Sequence, residues 1–288
     1  METISPKKMG KPLSEKEITR EFDHLVASKY ANLAEFFKAD KILLIVNDLD
    51  RGTPTAKIIK HIDNYLKTKG QDFKSKHIDV IIATGTHNPP KEDGLQKILG
   101  EYYEFFKPRT KIHKGKECEC ELIGRSKMGT PIKIDKLILG YDRILTINSI
   151  EPHFFAGYTG GRKSLIPGIC HWETVETNHR MAMDERSKTL SLEGNPVHTD
   201  MMDIAQMIIK YLASLKTEIL GLHCVEAGGE IYAFSAGDLF KSWEVLIPKA
   251  NEVFTVSVKG KFDIVIAETS FPMNRLLYQA LKSFENGK

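Results

Sequence analysis

Lys163 is the residue whose setting most suggests chemistry. It lies in EPHFFAGYTGGRKSLIPG, Glu151–Gly168, a stretch with four glycines, two prolines and His153. The neighbouring cation, Arg162, disfavours the Lys163 ammonium, and that favours the amine as a nucleophile. The plainer reading is that Arg162 and Lys163 form an anion-binding pair, with Gly160 and Gly161 turning backbone N–H groups toward the anion. The stretch is not a Walker A loop. Arg162 stands where the second required Gly belongs, and Pro167-Gly168 prevents a long helix from starting after the Lys.

Three histidines are further candidates. His87 follows Thr84-Gly85-Thr86 and precedes Asn88-Pro89-Pro90. It reads equally as a turn residue and as a proton-transfer group at a strand end. His153 is flanked by Phe154 and Phe155, which can wedge it into a core or wall off water around a working imidazole. His179 shares a helical stripe with Trp172 and Val175, where a packed core histidine is the commoner outcome. Glu176 and His179 also make an ExxH pair. A di-iron reading needs a helical bundle to bring in a second pair, and that is not expected here.

The elements that must position these residues follow from the hydrophobic pattern. Lys41–Val46, Asp79–Gly85, Arg143–Ile150, Glu218–Val225, Glu230–Gly237 and Phe262–Glu268 read as near-continuous apolar strands. Such strands belong to parallel sheets covered on both faces. Helices are expected over Thr55–Lys69, about Asp93–Phe106, about Glu173–Met183, from Asn195-Pro196 to about Leu215, over Leu239–Ala250 and over Arg275–Phe284. Alternation of strand and helix gives an α/β class with a doubly wound, mostly parallel, Rossmann-like sheet. In such sheets ligands collect at the carboxyl ends of the strands. Asp48, Asp50 and Arg51 follow the first strand, His87 the second, and Glu151 to Lys163 the third. Two histidines flanking one site suit acid–base chemistry on both faces of a substrate, as a racemase or epimerase needs.

The whole chain sets the limits. Its 288 residues carry 41% hydrophobic and 27% charged side chains with a net charge of +3. That balance suits a soluble globular protein and offers no stripe for nucleic acid. Lys57, Lys60 and Lys67 give one helix a basic face, read as solvated. No run long enough to span a membrane and no secretory leader is evident, so the expected location is the cytoplasm. Cys118, Cys120, Cys170 and Cys224 should be reduced there. Cys118-Glu-Cys120 has the wrong spacing for a zinc knuckle and is read as packed thiols on one strand face.

Taken in order, DLDRGTP, ATGTH, IEPHFFAGYTGGRKSLIPGI, Asn178-His179 and DIVI…LYQALK resemble the nickel-pincer lactate racemase family over nearly the full chain. The resemblance implies a racemase or epimerase of a 2-hydroxy acid. It implies a pyridinium mononucleotide with sulfur-bearing arms that holds nickel and is tethered to Lys163 as a thioamide. His179 is implied as a nickel ligand, His87 and His153 as the acid–base pair, and Asp48, Gly160, Gly161 and Arg162 as cofactor neighbours. Arg51, Gln279 and Lys282 are implied around the substrate. The implied partners are a small 2-hydroxy acid, cofactor-biosynthesis proteins and a second copy of the chain, with no nucleic acid and no membrane. Asp50, Gly52, Asn88 and Ser270-Phe271 depart from the family pattern, which leaves lactate, malate, aromatic and sugar-derived acids open. The alternative is a protein that binds a phosphorylated ligand with GGRKS and performs no nickel chemistry.

The expected domains are 1–260, catalytic and cofactor-binding, and 261–288, the start of a second α/β domain that stops short. One strand and one helix cannot bury a core alone. The expectation is therefore an open cleft without cofactor, and a last helix packed loosely, displaced or borrowed by another copy.

Overall fold

The computed structural model describes residues 10–256 without a break, together with 258, 260, 262–266, 268, 277 and 280. Ser14 opens α1 (Glu15–Val26) with a capping box closed by Glu17. Ile18, Phe22 and Val26 then bury one helical stripe. Each such side chain contributes about 1.5–3 kcal/mol through area removed from water. A short α2 (Leu33–Phe36) leads into β1 (Lys41–Asn47), α3 (Thr55–Thr68) and β2 (His77–Ala83).

The single helix expected near 93–106 is broken. Gly100 sits at φ +51° and separates α4 (Glu92–Leu99) from α5 (Tyr103–Phe106). The next segment, unassigned from sequence, supplies β3 (Thr110–Ile112) and a hairpin, β4 (Cys120–Arg125) with β5 (Pro131–Asp135). There follow β6 (Arg143–Ser149), the small ladder of β7 (Pro152–His153) with β8 (Gly157–Tyr158), α6 (Trp172–His179), α7 (Pro196–Ser214), β9 (Glu218–Ala227), β10 (Glu230–Gly237) and α8 (Leu239–Phe254). The expected strand at 262–268 is not formed among the described residues 262–266 and 268. The expected helix at 275–284 lies outside the described residues apart from Leu277 and Ala280.

The main sheet runs β10-β9-β6-β1-β2-β3. All neighbours pair in parallel except β10, which returns antiparallel on β9. Ile42, Leu44 and Val46 of β1 face one core with α1, α3 and α4, while Leu43 and Ile45 face another with α6 and α7. Trp243, Leu246 and Val253 of α8 extend the second face beside Ile150 and Val225. The strand order reverses between β1 and β6, the switch point at which doubly wound sheets hold ligands. The basic face of α3 is a paired one: Lys57 meets Glu15, Lys60 meets Glu101 and Lys67 meets Asp63. Among the described residues no helix is long and apolar enough to cross a membrane.

His223 of β9 is fully buried and bonds Asn148 Oδ1 through Nδ1 at 2.8 Å. Burial pushes its pKa down to about 4 from 6.5. Below pH 6.5 the unfolded chain takes up a proton that the folded chain refuses, so stability present at neutral pH is lost as pH falls toward 4. That difference is worth on the order of 3 kcal/mol. Urea midpoints should therefore drop steeply between pH 6.5 and 4, and His223→Gln should flatten that slope whatever it does to stability at neutral pH.

Candidate functional site

Loops from three strand ends close on one cleft at the switch point. Asn47, Asp48 and Arg51 come from the end of β1, Thr84, Gly85 and His87 from the end of β2, and Thr159, Gly160, Lys163 and Ser164 from the segment after β6. Its enclosed part holds only about 40 Å³, room for a few waters, so a larger ligand would extend into its open mouth. Thr53 ties the first and third loops together. Its hydroxyl accepts from Asn47 Nδ2 at 2.7 Å and from the Ser149 amide at 3.1 Å.

His87 is held from behind. Its Nδ1 lies 2.7 Å from Asp48 Oδ2 and 3.4 Å from Asp50 Oδ2. A carboxylate there fixes the proton on Nδ1 and leaves Nε2 with its lone pair, the arrangement of a positioned general base. His153 is oriented the other way. The Ala156 amide points at its Nδ1 from 3.3 Å, so in the neutral ring the proton sits on Nε2. That nitrogen is 3.2 Å from Lys163 Nζ.

His153 and His179 are not among the residues lining the enclosed cleft; they stand behind Lys163 on a shared aromatic support. The Phe155 ring centroid lies 4.6 Å from that of His153 and 4.9 Å from that of His179, and Lys163 Nζ is 5.7 Å from it. His179 is pushed down to about 3, first by burial and then by the charges of Lys163 and His87. It is a neutral imidazole at physiological pH with a nitrogen lone pair to give. The expected apolar stripe of α6 is only partly built, because Trp172 is exposed and carries Lys116 Nζ 4.3 Å over its ring.

Two groups of the glycine-rich loop have partners within the protein. Arg162 is fully buried, donates from Nη2 to the Ala156 and Tyr158 carbonyls at 2.7 and 3.2 Å, and lies 4.4 Å over the Trp243 ring. Its guanidinium braces the loop from below and does not line the cleft. Gly161 gives its N–H to Asn148 Oδ1 at 3.1 Å, so that amide is taken. Gly161 is required for another reason. It sits at φ +52°, and a Cβ there would stand 2.6 Å from Trp243 Cγ. Gly160, at φ +74°, passes equally close to Asn148 Oδ1.

Arg51 donates to Glu151 Oε1 at 3.0 Å. Behind this pair stands Glu226, a residue that sequence reasoning missed. Its carboxylate fills the space over Gly52 that any side chain at that position would need. Burial raises the Glu226 carboxyl pKa, the Gly229 amide opposes this, and the Glu151 charge adds to the rise. The one sequence signal was Gly52 itself, which only a close approach explains. Gln279 and Lys282 lie outside the described residues.

Fold and site together define an α/β protein with a histidine- and lysine-bearing cleft at the carboxyl edge of a doubly wound sheet. Residues 1–190 match the family described as "Lactate racemase N-terminal domain", and the chain belongs to it. It is 28% identical over 283 residues to a lactate racemase of Thermoanaerobacterium thermosaccharolyticum, covering 96% of this chain and 63% of that protein. It is 26% identical over 274 residues to a lactate racemase of Lactiplantibacillus plantarum, covering 94% and 62%. Among solved structures, the lactate racemase apoprotein from T. thermosaccharolyticum superposes with a TM-score of 0.76 at 29% identity over 93% of this chain and 62% of that one. A Thermotoga maritima protein shares the fold, with a TM-score of 0.66 at 24% identity over 85% and 59%. The chain thus spans a little under two thirds of the relatives it matches.

The fit of Glu226 over Gly52 gives a direct test. Gly52→Ala should cost about 1–3 kcal/mol in urea unfolding through overpacking. Most of that cost should vanish in a Glu226→Ala background, where the carboxylate is gone.

Proposed function

We propose that this chain is the cofactor- and substrate-handling part of a racemase or epimerase of a 2-hydroxy acid. The observation that carries the reading is the convergence of His87, Lys163 and His153 with opposite hydrogen-bonding states on the two histidines. The family's cofactor, a nickel-holding pyridinium mononucleotide, fits what the residues offer: Lys163 opens on the cleft, and His179 is a neutral imidazole of the kind that suits nickel. Lys163 would hold it covalently and His179 would ligate its metal. When bound, it supplies a hydride acceptor for C2 of the substrate.

The chain's own groups do the rest. His87 Nε2, left with its lone pair by the Asp48 contact at Nδ1, takes the substrate hydroxyl proton when it lies on that side. His153 Nε2–H stands ready to give a proton on the other, and the roles exchange in the reverse direction. The phenylalanines around His153 keep water from the transferred hydrogen. Arg51 receives the substrate carboxylate, ideally in a two-pronged fashion, and to do so it exchanges its ion pair with Glu151 for the incoming anion. The acidic surroundings of Arg51 and the departures at Asp50 and Gly52 lie on the substrate side and leave lactate, malate, aromatic and sugar-derived acids open.

Protein produced alongside cofactor-biosynthesis enzymes should carry a covalent adduct on Lys163 by peptide mass spectrometry, lost in Lys163→Ala. His87→Ala and His153→Ala should each keep the adduct. In the assembled enzyme, each should lower racemisation in both directions by about 10²–10⁴-fold, because every turnover uses both groups. An active Lys163→Ala protein, or a variant impaired in one direction only, would overturn the scheme.

A further inference from the structure

Three of the four cysteines converge at a second place, behind the wall of the cleft. Cys118 ends the loop that follows β3, Cys120 begins β4, and Cys170 precedes α6 and bridges β5 through Ile134. Cys118 and Cys120 Sγ stand 2.8 Å apart. The two sulfurs are in direct contact, and the Cys120 thiol also donates to the Cys118 carbonyl, so both thiols face polar neighbours. His113 is wholly buried beside them. Its Nδ1 meets Asp135 Oδ2 at 2.7 Å and its Nε2 meets the Cys170 carbonyl at 3.0 Å. A ring nitrogen of His113, Cys118 Sγ and a carboxylate oxygen of Asp135 all lie within 4.8 Å of one another.

We propose that Cys118, Cys120, His113 and Asp135 form a closed structural site for a zinc ion. Two sulfurs, one imidazole nitrogen and one carboxylate oxygen make a tetrahedral donor set of the kind zinc takes. Bonds of about 2.0–2.3 Å require the donors to draw together, Cys120 the farthest, because only His113, Cys118 and Asp135 already lie within 4.8 Å of one another. The contacts among them are those that donors make with each other before a cation separates them: thiol against thiol, imidazole against carboxylate. The Nε2–H bond to the Cys170 carbonyl is the outer contact that orients a ligating histidine, and it leaves Nδ1 as the donor. Zinc displaces both thiol protons as it binds, and takes the place of the proton shared by Nδ1 and Asp135. Burial raises all three thiols, so the cluster carries no standing thiolate charge until a cation arrives.

The cation would brace the cleft. The His113 carbonyl accepts the Thr84 hydroxyl bond, and Gly115 packs against the Gly85 carbonyl, so the clipped loop supports the turn that carries His87. The proposal does not rest on the racemase reading, and its test needs no activity.

Reduced, metal-stripped full chain should bind about one zinc ion per chain with release of protons and a rise in Tm. Cobalt(II) used as the probe should give a thiolate-to-metal charge-transfer band. Replacing Cys118 and Cys120 together by Ser should abolish the band and weaken zinc binding on the order of 100-fold or more. Cys224→Ser and His179→Ala should keep both. Zinc should also protect Cys118 and Cys120 of the unmutated chain from alkylation, as read by peptide mapping, which serves if the double variant fails to fold. Absence of the band in the reduced unmutated chain, its persistence in the folded double variant, or alkylation indifferent to zinc would each overturn the proposal.

Discussion

The site depends on how one buried amide clamps the glycine-rich loop to the end of β6. Asn148 is nearly inaccessible, yet each end of its side chain has a partner. Its Oδ1 accepts from the Gly161 amide and from His223 Nδ1, and its Nδ2 donates to Ser164 Oγ at 2.8 Å. Lys163 lies between two residues held this way, so its Cα is positioned before its side chain makes any contact. Breaking one arm leaves a buried polar group unpaired, which costs about 1–3 kcal/mol. His223 links the clamp to β9, and Trp243 of α8 closes it from outside by donating Nε1 to the Thr159 carbonyl at 2.7 Å. A loop rich in glycine is thereby held in place by its surroundings, as the proposed attachment of a cofactor at Lys163 would need.

Arg162 completes the support and separates two roles that adjacency in sequence suggested were one. Burial lowers its pKa to about 9, which still leaves the guanidinium charged at neutral pH. Its charge is spent on loop carbonyls and on the Trp243 face, where a planar cation packs well. Lys163 alone of the pair opens on the cleft. Acidic side chains stand beside the other polar groups of the site: Asp48 and Asp50 meet His87, and Glu151 meets Arg51. The directions of the His87 ring and the Arg51 guanidinium are thus set by carboxylates.

Much of the fold was legible because parallel strands buried on both faces leave unmistakable apolar runs, and KILLIV and RILTINSI became β1 and β6. The first helix went unread, although Ser14 and Glu17 form a capping box ahead of Ile18, Phe22 and Val26, because the charged run around it hid the signal. The break at Gly100 and the half-exposed β4–β5 hairpin depend on backbone geometry and packing that periodicity does not encode. In the site, strand-end position found Asp48, Arg51, His87 and Lys163. The burial of Arg162 required knowing where Trp243 lies, and Glu226 reaches Gly52 only through the order of strands in the sheet. Such tertiary approaches leave at most a small residue in the sequence as their trace.

The same geometry bears on the two ligand chemistries that the glycine-rich loop first suggested. A phosphate needs several converging donors and little competing negative charge. Here the Gly161 amide is bound to Asn148 and the Arg162 guanidinium is turned under the loop. Lys163 is the basic residue of GGRKS that remains on the cleft, which Asp48 also lines. Under the proposed function a hydroxy acid would meet the Arg51 guanidinium, released from Glu151, with its carboxylate and the His87 ring with its hydroxyl.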